Sequence, residues 1–186
     1  MANELLTVVL FFAYSWGFGY LATIFVKESS NFAERNLMRI GIGLGLVPAF
    51  GLLLNILRIP IDWKIFLFLS LTALAVFLFK NLKRIKNIEL KLKIKKSYVY
   101  TAVMLAIFLF TFLIYTKGAF VYPYLEDDDS WSHAVGVKYV AVEKTAFLDV
   151  DKSYYLHYVD PYPPTYDMLF GILHQTNNSV YWTLKF

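Results

Sequence analysis

The chain has 186 residues, of which 58% are hydrophobic, 19% aromatic and 17% charged, against about 45–50% apolar and about 25% charged in an ordinary soluble domain. With a mean hydropathy of +0.51, it carries more apolar surface than one domain of this size can hide from water, which excludes intrinsic disorder and a typical soluble enzyme. Cysteine is absent, so disulfide frameworks, thiolate zinc sites, iron–sulfur ligation and cysteine nucleophiles are excluded too.

The net charge of +4 is unevenly spread. Residues 1–117 hold 14 Lys/Arg and 5 Asp/Glu, whereas residues 118–186 hold 4 and 9. Most of the positive charge sits in one short stretch between two apolar runs. That is a pattern of membrane topology and not of nucleic-acid binding, where basic residues would line one face.

Four apolar runs follow in chain order. Leu5–Val26 is 22 residues without a charge, long enough to cross a hydrocarbon core of about 30 Å. The Met-Ala-Asn-Glu before it is not the basic start of a signal peptide, so it reads as a retained span. Ile40–Leu57 carries Gly41, Gly43 and Gly45 near its start and Pro48 inside. Small residues permit close helix approach, and proline is tolerated within a membrane helix. Ile65–Phe79 is lengthened to a span by Trp63 and by Lys64 and Lys80 as anchors, and Tyr98–Tyr115 has a tyrosine at each end, as at membrane interfaces.

Between the last two runs, Lys80–Lys96 holds eight basic residues and one acid, Glu89. Short loops of this kind stay in the cytoplasm. Alternation from that anchor puts residues 27–39, with Lys27, Arg35 and Arg39, inside as well. It puts the N-terminus, the loop around Asp62 and everything after Tyr115 outside. The period of residues 82–95 is ambiguous between helix and strand. They read as a basic amphipathic segment on the anionic inner leaflet, or as a specific lipid-phosphate or regulatory site.

The outer segment holds the candidate chemistry. Glu126-Asp-Asp-Asp129 precedes Ser130-Trp-Ser-His133. Neighbouring carboxylates disfavour each other's ionisation, and a divalent cation such as Mg²⁺ or Mn²⁺ relieves that penalty. The competing reading is an N-cap at Asp129 or Ser130 in a solvated acidic loop, ahead of a helix over Trp131–Lys144. His133, His157 and His174 lack zinc-ligand spacing. Further on, Pro161, Pro163 and Pro164 predict an extended lead-in to a helix from Tyr166 toward Leu173, with Thr165 as its cap. The tyrosines at 154, 155, 158, 162 and 166 suit either sugar stacking or the headgroup zone. Asn177-Asn-Ser179 matches a glycosylation acceptor triplet.

Together these residues resemble the first external loop of GT-C membrane glycosyltransferases. Asp129-Ser-Trp-Ser-His133 is similar to the first acidic motif of the archaeal oligosaccharyltransferase catalytic subunit, and Tyr162-Pro-Pro-Thr-Tyr-Asp167 resembles its Trp-Pro-Pro-x-Tyr/Phe-Asp segment. The likeness covers about residues 118–174. Ser130 and Ser132 stand where the family has proline and a second aromatic. The family's second acidic motif and its Trp-Trp-Asp-Tyr-Gly signature do not occur in these residues.

The resemblance implies transfer of a sugar or glycan from a polyprenyl-phosphate carrier to an acceptor on the external face, as in protein glycosylation. Asp129 and Asp128 would be catalytic, and Asp129 with Asp127 would hold a divalent metal, Mg or Mn. His133, Trp131, Tyr162, Tyr166 and Asp167 would bind substrate. The chain stops within what reads as another apolar helix, Val180–Phe186, so the expectation is an N-terminal part of a longer enzyme, inactive alone. Two other classes stay open: a non-catalytic membrane subunit binding partner helices through Gly41, Gly43 and Gly45, and a transporter fragment, to which Pro48 and Asn55 are the pointers.

The expected architecture is all-α: a polytopic protein of the cell membrane with four transmembrane helices (about 4–27, 37–58, 62–80 and 97–117) in a bundle over residues 1–117. A helical external loop over 118–175 follows, with short helices at about 130–145 and 164–175, and then the start of a fifth span at 176–186. Residues 81–96 are cytoplasmic, membrane lipids are the surroundings, and no nucleic acid is a partner.

Overall fold

Long apolar stretches leave the backbone no polar partner but itself, and in this chain they wind into helices. The computed structural model describes residues 2–26, 29, 31–86, 96–147 and 164–185, and among these every regular element is a helix. Four are long: α1 (Ala2–Thr23), α2 (Phe32–Ile56), α3 (Trp63–Lys86) and α4 (Lys96–Ala119). Three shorter ones follow, α5 (Asp128–Glu143), α6 (Thr165–His174) and α7 (Val180–Lys185). The four long helices are long and apolar enough to cross a membrane.

Helix ends depart from the sequence expectation where a local cap decides them. α2 begins at Phe32 instead of about residue 37, because the Asn31 side chain accepts a hydrogen bond from Ala33 N at 3.0 Å and Glu34 sits in the favourable first turn. Arg35 and Arg39, expected in an inner loop, are therefore helical. α3 runs through Lys86, so the basic stretch begins as a continuation of the third helix, while residues 87–95 lie outside the described residues. α5 starts at Asp128, capped by Asp127 and not by Asp129 or Ser130. In α6 the cap position belongs to Pro164, with no side-chain cap bond, so Thr165 is the first helical residue and not the cap.

α1 is the centre of the bundle, packed on α2 and α3. Gly43 makes the α1–α2 crossing: a Cβ there would lie 1.6 Å from the Ser15 carbonyl oxygen. Gly41 and Gly45 face open space. The expectation that the three glycines act together fails on geometry, since residues two apart point about 200° apart around a helix. The core is aromatic: Tyr14, Phe18, Phe50 and Phe66 pack with ring centroids 5.4–6.1 Å apart.

That core extends without a break into the shorter helices, for Met168, Ile172 and Leu173 of α6 belong to it. Polar ties join the same parts. Ile61 N donates to Lys144 O at 2.7 Å, Lys144 Nζ pairs with Asp62 Oδ2 at 2.5 Å, and Gln175 bonds Ile61 O at 2.7 Å and Trp63 N at 3.0 Å. Asn55, a sequence pointer to transport, instead clasps the end of α5: its Oδ1 accepts from Ala146 N at 2.5 Å and its Nδ2 donates to Thr145 Oγ1 at 2.9 Å. Thr7 meets Asn177 at 3.1 Å. The N-terminal end of α1, the α2–α3 turn and helices α5–α7 thus share one end of the molecule. α4 stands apart, with none of its apolar window buried.

Candidate functional site

Four carboxylates in a row need somewhere to put their charge, and the start of α5 provides it. Asp127 is extended (φ −148°, ψ 159°) and its Oδ1 accepts from Asp129 N at 2.8 Å. Asp128 and Asp129 occupy the first turn of α5, where the helix dipole favours negative charge by about 0.3–1 kcal/mol each. All three aspartates are exposed. Among the described residues no three His, Asp or Glu side chains converge on a point that could hold a metal ion.

One turn further along α5, His133 reaches across to α6. Its Nδ1 lies 2.8 Å from Asp167 Oδ1, and its ring packs on Tyr166 with centroids 4.7 Å apart. Asp167 is 5% exposed. Burial pushes its carboxyl above the ordinary range, while the hydrogen bond and charge of His133 pull it back only in part. Burial, and then the neighbouring Asp167, likewise raise the Tyr166 hydroxyl. Room for this carboxylate comes from Gly136, where a Cβ would sit 2.1 Å from Asp167 Oδ2. Histidine and glycine, three residues apart, therefore make one face of α5 into a seat for α6.

His133 lines a cavity of about 610 Å³ between the ends of α4, α5, α6 and α7, and Asp167 holds it without lining the cavity itself. Ile114 and Tyr115 of α4, with Leu125, form an apolar wall. Glu126, Ser130, His133 and Lys185 form a polar one, with Tyr166 beside them. A slot with one greasy and one charged wall at the end of an apolar helix suits a molecule that is itself part lipid and part polar.

The sequence-predicted residues divide into three groups. His133, Tyr166 and Asp167 are brought together, from motifs 34 positions apart. Asp127, Asp128 and Asp129 stand at the start of α5 and do not line the cavity, and Trp131 packs edge-on against Tyr181 at 5.5 Å. Tyr162 lies outside the described residues. Glu126, named only as part of the acidic run, lines the cavity where the three aspartates do not, and sequence reasoning missed Lys185 and Gly136. A small residue one turn after His133 was the available signal for the last, since a helix face that receives another helix needs one.

The acceptor triplet at Asn177 has a structural use instead. Asn177 is 6% exposed, and its Nδ2 donates to Thr7 Oγ1 at 3.1 Å and to Thr183 Oγ1 at 2.9 Å. Its oxygen lies 3.2 Å from His174 Nδ1, an imidazole whose pKa is lowered mainly by burial.

No protein-family profile matches the chain, and neither a curated protein nor a solved structure matches it.

Proposed function

We propose that the chain is the N-terminal part of a membrane glycosyltransferase that moves a sugar or glycan from a polyprenyl-phosphate carrier to an acceptor, working at the end of the bundle capped by α5 and α6. The observation that carries this reading is His133, held by Asp167 at 2.8 Å, on the wall of a mostly apolar cavity. The predicted topology places that end on the external face of the cell membrane.

In this reading the carrier's hydrocarbon tail lies along Ile114 and Tyr115, and Lys185 faces its phosphate. Asp167 holds the Nδ1 proton of His133, which leaves Nε2 to act as general base. The acceptor's nucleophilic atom attacks the anomeric carbon, its proton passes to Nε2, and the bond from that carbon to the phosphate oxygen breaks. The carrier departs as polyprenyl phosphate. Asp128 and Asp129 supply negative charge at the mouth. Asp127 and Asp129 would hold a Mg or Mn ion, whose remaining ligands would be water and the carrier's phosphate, and whose charge would favour departure of that phosphate; the proton transfer does not require one.

The test uses membranes bearing the full gene product and a radiolabelled polyprenyl-phosphate sugar. His133→Ala lowers turnover by about 10²–10⁴-fold, the usual worth of a positioned base. Gly136→Ala does the same by displacing Asp167, and Asp129→Ala, which removes only a charge at the start of α5, has a smaller effect with the fold intact. Wild-type turnover in His133→Ala overturns the assignment.

The exposure of α4 favours a second reading, a membrane subunit that binds partner helices. Gly41 and Gly45, four apart with open space around both, would offer a close-packing face. Unchanged association after replacing both by Leu counts against it.

A further inference from the structure

α5 turns an apolar line outward where a helix in water would present polar residues. Trp131, Val135 and Val142, spaced by four and seven, fall on one side of it and are 43%, 42% and 67% exposed. That side is turned away from α6, which His133, Gly136 and Val140 meet from the opposite one. Within the line stands Lys138, whose long stem can lie on apolar surface while its ammonium reaches water. The aspartates are kept to the start of the helix. The line continues beyond α5. Trp131 packs on Tyr181, Tyr181 on Tyr124 and Tyr124 on Tyr122, with ring centroids 5.5, 6.0 and 5.9 Å apart. Phe120 and Val121, both exposed, then join it to the end of α4.

The depth of α5 is set at both ends. Ser130 and His133 of its first turns line one cavity with Ile114, Tyr115, Gly118 and Ala119 of the last turns of α4. Its other end is bonded to the end of α2 and the turn after it, where Lys144 O accepts from Ile61 N at 2.7 Å and Asn55 Oδ1 from Ala146 N at 2.5 Å. A helix of 16 residues, about 24 Å long, therefore runs across the ends of the long helices and not away from them. If those helices cross a bilayer, their ends lie among the lipid headgroups, where tryptophan, tyrosine and lysine are favoured.

We propose that α5 lies in the plane of the membrane surface, with Trp131, Val135 and Val142 and the adjoining rings of Tyr122 and Tyr124 immersed in the headgroup–acyl boundary of the lipid. Continuity with α4 singles out lipid as the occupant. The apolar surface of α4, with none of its apolar window buried, passes through Phe120 and Val121 into this patch without a polar break. Lipid then holds α5 from the side opposite α6, and the helix that carries His133 is set between the two. The inference rests on the long helices crossing a bilayer. It is independent of the transferase reading, since none of the five immersed side chains lines the cavity at His133.

The chain has no cysteine, so single-cysteine spin labelling tests this directly. Val135→Cys, Val142→Cys, Asp129→Cys at the acidic start of α5 and Phe108→Cys in the middle of α4 are labelled in the full chain in phosphatidylcholine vesicles. Collision of each label with oxygen, which partitions into lipid, is compared with collision with a water-soluble nickel chelate. The oxygen-to-nickel ratio at 135 and 142 is expected to be about 3-fold or more above that at 129, and below that at 108. A ratio at 135 and 142 equal to that at 129 places the line in water and overturns the proposal. Low collision with both reagents means that protein covers the line, a second copy included, and overturns it as well. A ratio at 108 as low as that at 129 overturns it through its premise, because α4 then does not cross the bilayer. The turnover of His133→Ala tests the transferase reading separately from all of these.

Discussion

Asp167 and Arg39 are the two most deeply buried charge-bearing side chains described, 5% and 4% exposed, and they sit at opposite ends of one bundle. The fold accommodates them by different means. Asp167 faces a second titratable group, His133; burial raises its carboxyl, and the hydrogen bond and charge of His133 oppose the rise. Arg39 packs its guanidinium against the faces of Tyr20, Trp16 and Phe77. A buried group that can change its charge is suited to chemistry. The two ends differ in what surrounds the buried group: a titratable partner at one, aromatic rings at the other.

The comparison breaks most completely if the α1–α2 crossing is lost, because Gly43 sets the distance on which the ring contacts of Arg39 depend. Gly43→Leu is expected to lower stability in detergent by about 3 kcal/mol or more, at the top of the usual overpacking range. Gly41→Leu, with open space around it, leaves the melting temperature unchanged. Equal effects of the two substitutions contradict the packing.

A smaller effect sharpens the contrast in charge. Ionising Asp167 costs the folded state, because burial holds its carboxyl above the ordinary value of 3.8. That cost is absent below pH 3.8, grows as the pH rises, and is complete above the raised folded value. Asp167→Asn removes it. The variant therefore melts at or above wild type at pH 7, with a gap that widens from pH 4 upward, even as turnover falls. A variant that melts lower at pH 7 means the pair is structural.

The smallest effect belongs to Asp62 and Lys144, which are partly exposed. Burial opposes ionisation of Asp62, but the hydrogen bond and charge of Lys144 outweigh it and hold the carboxyl below 3.8. Stability from this pair is present above 3.8 and is lost as the pH falls through the lower folded value. Lys144→Met costs about 0.5–1 kcal/mol at low salt and less at high salt. A loss insensitive to salt and pH would show that the lysine acts through its aliphatic stem.

Long apolar runs made the four long helices legible in the sequence, since their lengths alone set them apart. The starts of α2 and of the short helix α5 were not, because Asn31 and Asp127 each compete with neighbours of nearly equal capping strength. The meeting of the Asp-Ser-Trp-Ser-His and Pro-Pro-Thr-Tyr-Asp segments was not legible, because nothing in the spacing of His133 and Asp167 requires it. Arg39 misled the reading most. At the edge of an apolar run it looks like an interfacial anchor, and its burial depends on Trp16, Tyr20 and Phe77 arriving from two other helices. The one local hint was the spacing of Trp16 and Tyr20 on a single face.

Residues 61–63 hold the far ends of both helices that carry the His133–Asp167 pair. Ile61 N grips Lys144 at the end of α5, and Ile61 O and Trp63 N grip Gln175 at the end of α6. The two helices are thus arms of a pair of tweezers with a common pivot. His133 lies about 16 Å from that pivot and Asp167 about 12 Å, at 1.5 Å of rise per residue. A change of about 5° in the angle between the arms moves the tips apart by about 1 Å, a misplacement that can cost on the order of 10²-fold in rate. The α2–α3 turn therefore fixes where both helices end, and their packing at Gly136 and Gly171 fixes how closely they run.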